Sequence, residues 1–179
     1  HVRSRRQRQM CIRDRGMIAG PSEVTIVCDK HSNPEWVASD LIGQAEHDNL
    51  AQCILISKDK SILLKVKDEI IKQLKELPRV AVAKKSILSN GILIHIKSNK
   101  KIIDVVNKIA PEHLELNIKD YKKIVDKIKN SGSICLGKYA VMAMTDYNIG
   151  SNHVLPTNSS ARYSSCLLYT SDAADDSLR

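Results

Sequence analysis

The chain has 179 residues and a formal charge of +8, with 42% hydrophobic residues that nowhere form a run near the roughly 18 needed for a membrane span. No signal-peptide layout opens it, and the length suits one domain with a substantial core. The surplus of Lys and Arg over Asp and Glu, 28 against 20, raises nucleic-acid binding as a class to be weighed.

Much of that surplus sits where the sequence looks least like the rest. Residues 1–16, HVRSRRQRQMCIRDRG, carry six Arg against one Asp and no Lys, whereas the middle strongly prefers Lys. Residues 166–179, CLLYTSDAADDSLR, carry one Arg against three Asp and have no periodicity. The strings MCIRDR and CLLYTSDAADD resemble translated sequencing-adapter read-through, so both ends are set aside as non-native tails. The remaining +5 on Met17 to Ser165 is spread over Lys-rich helices, which reads as a solvated face and not as a nucleic-acid stripe.

That middle of about 150 residues is one domain's worth. In chain order, VTIVCD (24–29) is a continuous apolar run. A helix from Pro34 to His47 follows, with Asn33 as cap, Pro34 in the first turn and Glu35 beside it. AQCILISK (51–58) leads to an amphipathic helix over 61–77, stopped by Pro78, and a short helix over 82–88 stops at Asn90-Gly91. GILIHIK (91–97) precedes a helix over 100–110, closed by Pro111, and a Lys-rich helix over 121–130 precedes SICLG (133–137). Near-continuous Val/Ile/Leu strands alternating with helices predict a Rossmann-like parallel sheet with helices on both faces. In such sheets ligands are expected at the carboxyl ends of the strands. Cys28, Cys53 and Cys135 fall inside apolar runs without metal spacing, as buried free thiols of a reducing, cytoplasmic setting would.

No GxGxxG or Walker loop is present. The chemistry-bearing residues lie in four stretches: AGPSE (19–23), QAEHD (44–48), APEHLE (110–115) and DYNIGSNHVLPT (146–157). In the first helix, Val37 and Leu41 define an apolar stripe that continues onto Gln44 and Asp48, with His47 one position round the same side. Taken alone, that spacing points to His47 and Asp48 as ligands. His47, His113 and His153 give three imidazoles in polar surroundings, which can serve metal binding, acid–base work or plain structure.

These motifs, in this order and spacing, resemble histidinol dehydrogenase over residues 17–165, most specifically IAPEHLEL and NHVLPT. The region near 146–165 is expected to begin a following region of a larger multidomain enzyme, of which this chain is a fragment. The resemblance implies zinc- and NAD-dependent oxidation of L-histidinol through histidinal to L-histidine. By position, Gln44, His47 and Asp146 are implied zinc ligands, which favours Gln44 over Asp48. Glu112 and His113 are the implied catalytic pair. Ser22, Gln44, His47, His113, Asp146 and His153 are implied at the substrate. Most NAD contacts, the fourth zinc ligand and a substrate-binding Glu are implied to come from outside this chain, the last two across a homodimer.

The residue chemistry is compatible with those roles. A Gln and a His three apart offer oxygen and nitrogen donors of the kind zinc accepts. Adjacent Glu112 and His113, just past Pro111, suit proton transfer and water activation if the turn exposes both. Two rivals belong to other classes: a zinc-binding α/β module that hydrolyses, and a basic nucleic-acid-binding domain.

Overall fold

The computed structural model describes residues 20–78, 80–139 and 155–162. Five strands, β1 (Glu23–Cys28), β2 (Gln52–Ser57), β3 (Gly91–His95), β4 (His113–Asn117) and β5 (Ser133–Leu136), form one all-parallel sheet in the order β3-β2-β1-β4-β5. The connecting helices are α1 (Pro34–Ala45), α2 (Lys60–Gln73), α3 (Val80–Asn90), α4 (Asn99–Ile109) and the short α5 (Lys122–Val125). A turn of 3-10 helix spans Ser160–Arg162. The fold class expected from the apolar runs is the one observed.

Parallel strands need covering on both faces, and the core divides accordingly. Val24, Ile26, Cys28, Cys53 and Leu55 point to one face and pack against α1, α2 and Ala83 of α3. Val27, Ile54, Ile56, Leu114 and Leu116 point to the other, against Ile102 and Val106 of α4 and the residues around α5. The three cysteines are buried and unbridged, as expected, and burial pushes the Cys28 and Cys53 thiols up to about 12, which leaves them inert. Among the described residues, no helix is long and apolar enough to cross a membrane.

Three elements depart from expectation. The first is β4, a strand at residues read only as a post-proline turn, which pairs with β1 on one side and β5 on the other. Next, α1 ends at Ala45, two residues before His47. Finally, the helix expected over 121–130 shrinks to four residues. Its end is captured by Asn107, whose Oδ1 accepts from the backbone N–H of Lys129 and Asn130, while its carbonyl accepts from the Asn130 amide. Helical pairing cannot compete for groups already satisfied in this way.

Candidate active site

All strands enter the sheet at the same edge, and the implied site residues that the structure describes lie along that edge. Ser22 immediately precedes β1, Glu112 precedes β4, and His113 opens β4. Because α1 returns from the carboxyl end of β1 to the amino end of β2, its last turn delivers Gln44 to the same edge, with His47 in the turn beyond. The expectation of a carboxyl-end site is therefore corrected. A cavity of about 460 Å³ does open at the carboxyl ends, between Cys28, Asp29, Lys58, Asn99 and Lys119, but none of the motif residues above lines it.

The turn into β4 is built under constraint. Ala110 caps α4 with φ 51° and ψ 59°, a left-handed conformation that costs a residue with a side chain about 1–2 kcal/mol. Pro111 follows, and a proline disfavours the right-handed helical region for its predecessor. Beyond it, the Pro111 carbonyl accepts from Gly132 N–H at 3.0 Å and the Glu112 carbonyl from Ser133 N–H at 2.8 Å, fixing the backbone of the pair. Gly132 is required by close approach: a Cβ there would stand 2.6 Å from the Glu112 carbonyl oxygen and 3.0 Å from Pro156 Cδ.

The side chains are equally tethered. Glu112 is buried, and its Oε2 accepts from the backbone N–H of Glu23 at 2.9 Å. Its Oε1 lies 3.7 Å from His113 Nε2, while His113 Nδ1 lies 2.9 Å from Ser133 Oγ. The expectation that the turn exposes both members is thus corrected: Glu112 is enclosed and His113 half-buried. Glu23 is itself buried and its carboxyl is raised by desolvation, with partial relief from the Asn158 N–H that donates to Oε1 at 2.9 Å. Gly20 N–H donates to Thr157 Oγ1 at 2.7 Å, and Ser159 Oγ to the Ile109 carbonyl at 2.6 Å. AGPSE, APEHLE and the LPT end of the fourth motif therefore meet at one place.

Gln44 and His47 behave differently from one another. Gln44 is 1% exposed and its Oε1 has no hydrogen-bond partner among the described residues, which leaves an acceptor in a nearly dry position. His47 is exposed, with its backbone N–H on the Gln44 carbonyl at 3.2 Å. Asp48, which spacing alone favoured, is also exposed, and its Oδ1 accepts from Leu50 N–H at 2.8 Å to close the turn. Among the described residues no three His, Cys, Asp or Glu converge on a metal position. Asp146 and His153 lie outside the described residues. Sequence reasoning did not single out Glu23, the last residue of AGPSE, or Ser133, the first of SICLG; their polar side chains at strand starts were the available signal.

A family model described as histidinol dehydrogenase matches residues 8–171. The chain belongs to the histidinol dehydrogenase family. It is 83% identical over 150 residues to the histidinol dehydrogenase of Pelagibacter ubique strain HTCC1062, covering 84% of this chain and 35% of that protein. With the histidinol dehydrogenase of Listeria monocytogenes serovar 1/2a it shares 47% identity over 154 residues, covering 86% and 36%. Among solved structures, histidinol dehydrogenase from Elizabethkingia anophelis superposes with a TM-score of 0.81 at 42% identity, covering 84% of this chain and 34% of that one. The chain thus spans about a third of the length of the family members it matches.

Proposed function

We propose that a polypeptide containing this segment oxidises L-histidinol through histidinal to L-histidine, with NAD and zinc, in the cytoplasm and as a homodimer. The observation that carries this reading is the Glu112–His113 pair, enclosed at the amino-end edge with each side chain held by a partner of its own. Family membership supports the substrate.

Turning an alcohol into an acid removes two hydrides and adds one water. With Nδ1 carrying hydrogen and donating to Ser133 Oγ, His113 keeps Nε2 as the basic nitrogen, and this atom takes the hydroxyl proton as the first hydride departs. Glu112 has one oxygen occupied by Glu23 N–H and the other turned to the same space as Nε2, so the second oxygen draws a proton from the water that adds to the aldehyde. His113 then takes the hydrate's proton in the second oxidation. Backbone pinning of both residues by the 132–133 segment keeps these atoms in place without reorganisation.

Two NAD molecules, bound in turn, would accept one hydride each, and zinc, when bound, would orient the substrate's imidazole and amine. The buried Oε1 of Gln44, without a partner among the described residues, fits a metal ligand, and His47, Asp146 and a residue from outside this chain would complete the set. Ser22, Asp146 and His153 would contact substrate. Purified full-length protein loaded with zinc, given histidinol and NAD, is expected to generate two NADH per histidine formed. Failure to form histidine would reject the reading. The 179-residue chain alone is expected to generate none, because NAD contacts and one ligand are proposed to lie elsewhere.

A further inference from the structure

Glu23, the first residue of β1, is buried and holds a partner with each of its ends. Its backbone N–H donates to Glu112 Oε2 at 2.9 Å, and its side-chain Oε1 accepts from the Asn158 N–H at 2.9 Å. A buried carboxylate is costly unless its oxygens are met, which gives this side chain a physical reason to reach for the 157–160 turn. The turn needs holding. Asn158 and Ser159 have φ of 52° and 60°, two successive left-handed residues with side chains, a conformation that persists only where its surroundings over-determine it. Besides the bond to Glu23, Gly20 N–H donates to Thr157 Oγ1, Ser159 Oγ to the Ile109 carbonyl and Ser160 N–H to the Thr157 carbonyl.

The turn also reaches Glu112 by a second route. Leu155 and Pro156 lie against Gly132, where a Cβ would stand 3.3 Å from Leu155 Cβ and 3.0 Å from Pro156 Cδ. Gly132 abuts the Glu112 carbonyl oxygen, which accepts from Ser133 N–H at 2.8 Å. The contacts close a ring: from Glu23 N–H to the Glu112 carboxylate, from the Glu112 backbone to 132–133, from there to 155–156, and from Asn158 back to the Glu23 carboxylate. Ser22, implied at the substrate, lies between Gly20 and Glu23 in this bracket, its carbonyl accepting from Gln52 N–H at 3.0 Å. The Glu23 side chain is the link that a substitution can cut while every backbone donor and the Glu112–His113 pair stay in place. We propose that Glu23 is a positioning residue of this site, its carboxylate latching the 157–160 turn and, through the ring, setting where Glu112 stands. The catalytic consequence rests on the functional reading above; the latch itself does not.

The test uses the full-length zinc-loaded protein. Glu23→Gln keeps an acceptor at the same reach and is expected to hold kcat on histidinal within about threefold of the parent, since a neutral oxygen preserves the hydrogen bond. Glu23→Met fills the space without an acceptor, and Glu23→Asp withdraws the carboxylate by one methylene. Both are expected to lower kcat on histidinal by about ten- to a hundredfold, the scale of a misplaced reacting group, with little change in KM. The first hydride transfer from histidinol, read in a single turnover, should fall less, because it consumes no water. Amide hydrogen exchange across 157–160 gives a readout independent of the reaction: slow in the parent and Glu23→Gln, faster in Glu23→Met and Glu23→Asp. Fast exchange in the parent, or exchange unchanged in both cutting variants, overturns the latch whatever the activity. Faster exchange with histidinal oxidation at the parent rate overturns the positioning role, as does a loss shared equally by the two steps, which marks a general loss of structure. Equal losses in Glu23→Gln and Glu23→Met overturn the role of the acceptor. If Glu23→Met does not fold, Glu23→Asp decides the same comparisons. A parent that binds zinc but makes no histidine rejects the functional reading, and the latch is then decided by exchange in the same variants.

Discussion

Glu112 accepts the backbone N–H of Glu23 at 2.9 Å across 89 residues of sequence, so the catalytic carboxylate proposed just before β4 is held by the first residue of β1. One oxygen is consumed by this tether, and only the other faces His113 Nε2 at 3.7 Å. In the full-length protein, His113→Asn and Glu112→Gln are expected to reduce kcat by about 10² to 10⁴-fold with little change in the affinity for histidinol. Glu112→Gln should slow oxidation of histidinal more than that of histidinol, because only the aldehyde stage consumes water. Steady-state kinetics on the two substrates separately checks this, and equal losses would reject the division of labour.

Gly132→Ala is expected to act on Glu112 without touching its side chain. The new methyl would press on the Glu112 carbonyl oxygen at 2.6 Å, backbone that cannot rotate away, and on Pro156. A stability loss of about 1–3 kcal/mol is expected from such overpacking, with a fall in kcat beyond what the lower melting temperature accounts for. Thermal melts beside initial rates at a temperature well below melting separate the two effects.

Gln44 offers a contrast of donors at constant volume. Gln44→Leu removes the buried oxygen and is expected to weaken zinc binding by about ten- to a hundredfold, whereas Gln44→Glu supplies an oxygen at the same reach and should retain most of it. Metal content after dialysis against graded chelator gives the comparison. Equal zinc retention by the leucine variant would remove Gln44 from the ligand set.

Burial pushes the Asp40 carboxyl from 3.8 up to about 6, so the folded chain holds this proton more tightly than the unfolded one. The corresponding stabilisation is complete below pH 3.8, fades as pH rises, and is gone above about 6. Glu23, also raised by desolvation, acts with the same sign. Asp40→Asn is therefore expected to flatten the decline in melting temperature between pH 4 and 6.5, an interval set by these shifts. A parallel decline in parent and variant would assign the slope to other groups.

Four of the five strands were legible as apolar runs: β1 and β2 are buried on both faces, while the edge strands β3 and β5 carry the same kind of run with Ile92, Leu93, Ile134 and Leu136 largely exposed. The fourth in sequence, HLELN, was not, since only Leu114 and Leu116 meet the apolar core while His113, Glu115 and Asn117 fill the opposite face with polar groups. That alternation is the strand signal, and the chemistry of the motif masked it. Similarly, the helical stripe in α1 located Gln44 correctly but carried on to His47 and Asp48, because no glycine or proline in AEHDNL announces the turn that the Asp48 side chain closes. The edge at which the site forms depends on which junctions bear the reactive residues, and the carboxyl-end rule describes only the commoner arrangement.

Ser22, Gln44, His47, Glu112 and His113 all lie at junctions that lead into strands, and among the described residues the junctions that lead out of β1 to β4 carry none of this chemistry. A strand of five or six residues separates the two edges by about 17–20 Å. A fluorophore or affinity handle attached at exposed Lys30 or His31, on the far edge, would therefore report on folding and assembly from beyond the reach of a bound histidinol, and insertions that lengthen the 29–33 loop have room to accumulate without retuning catalysis.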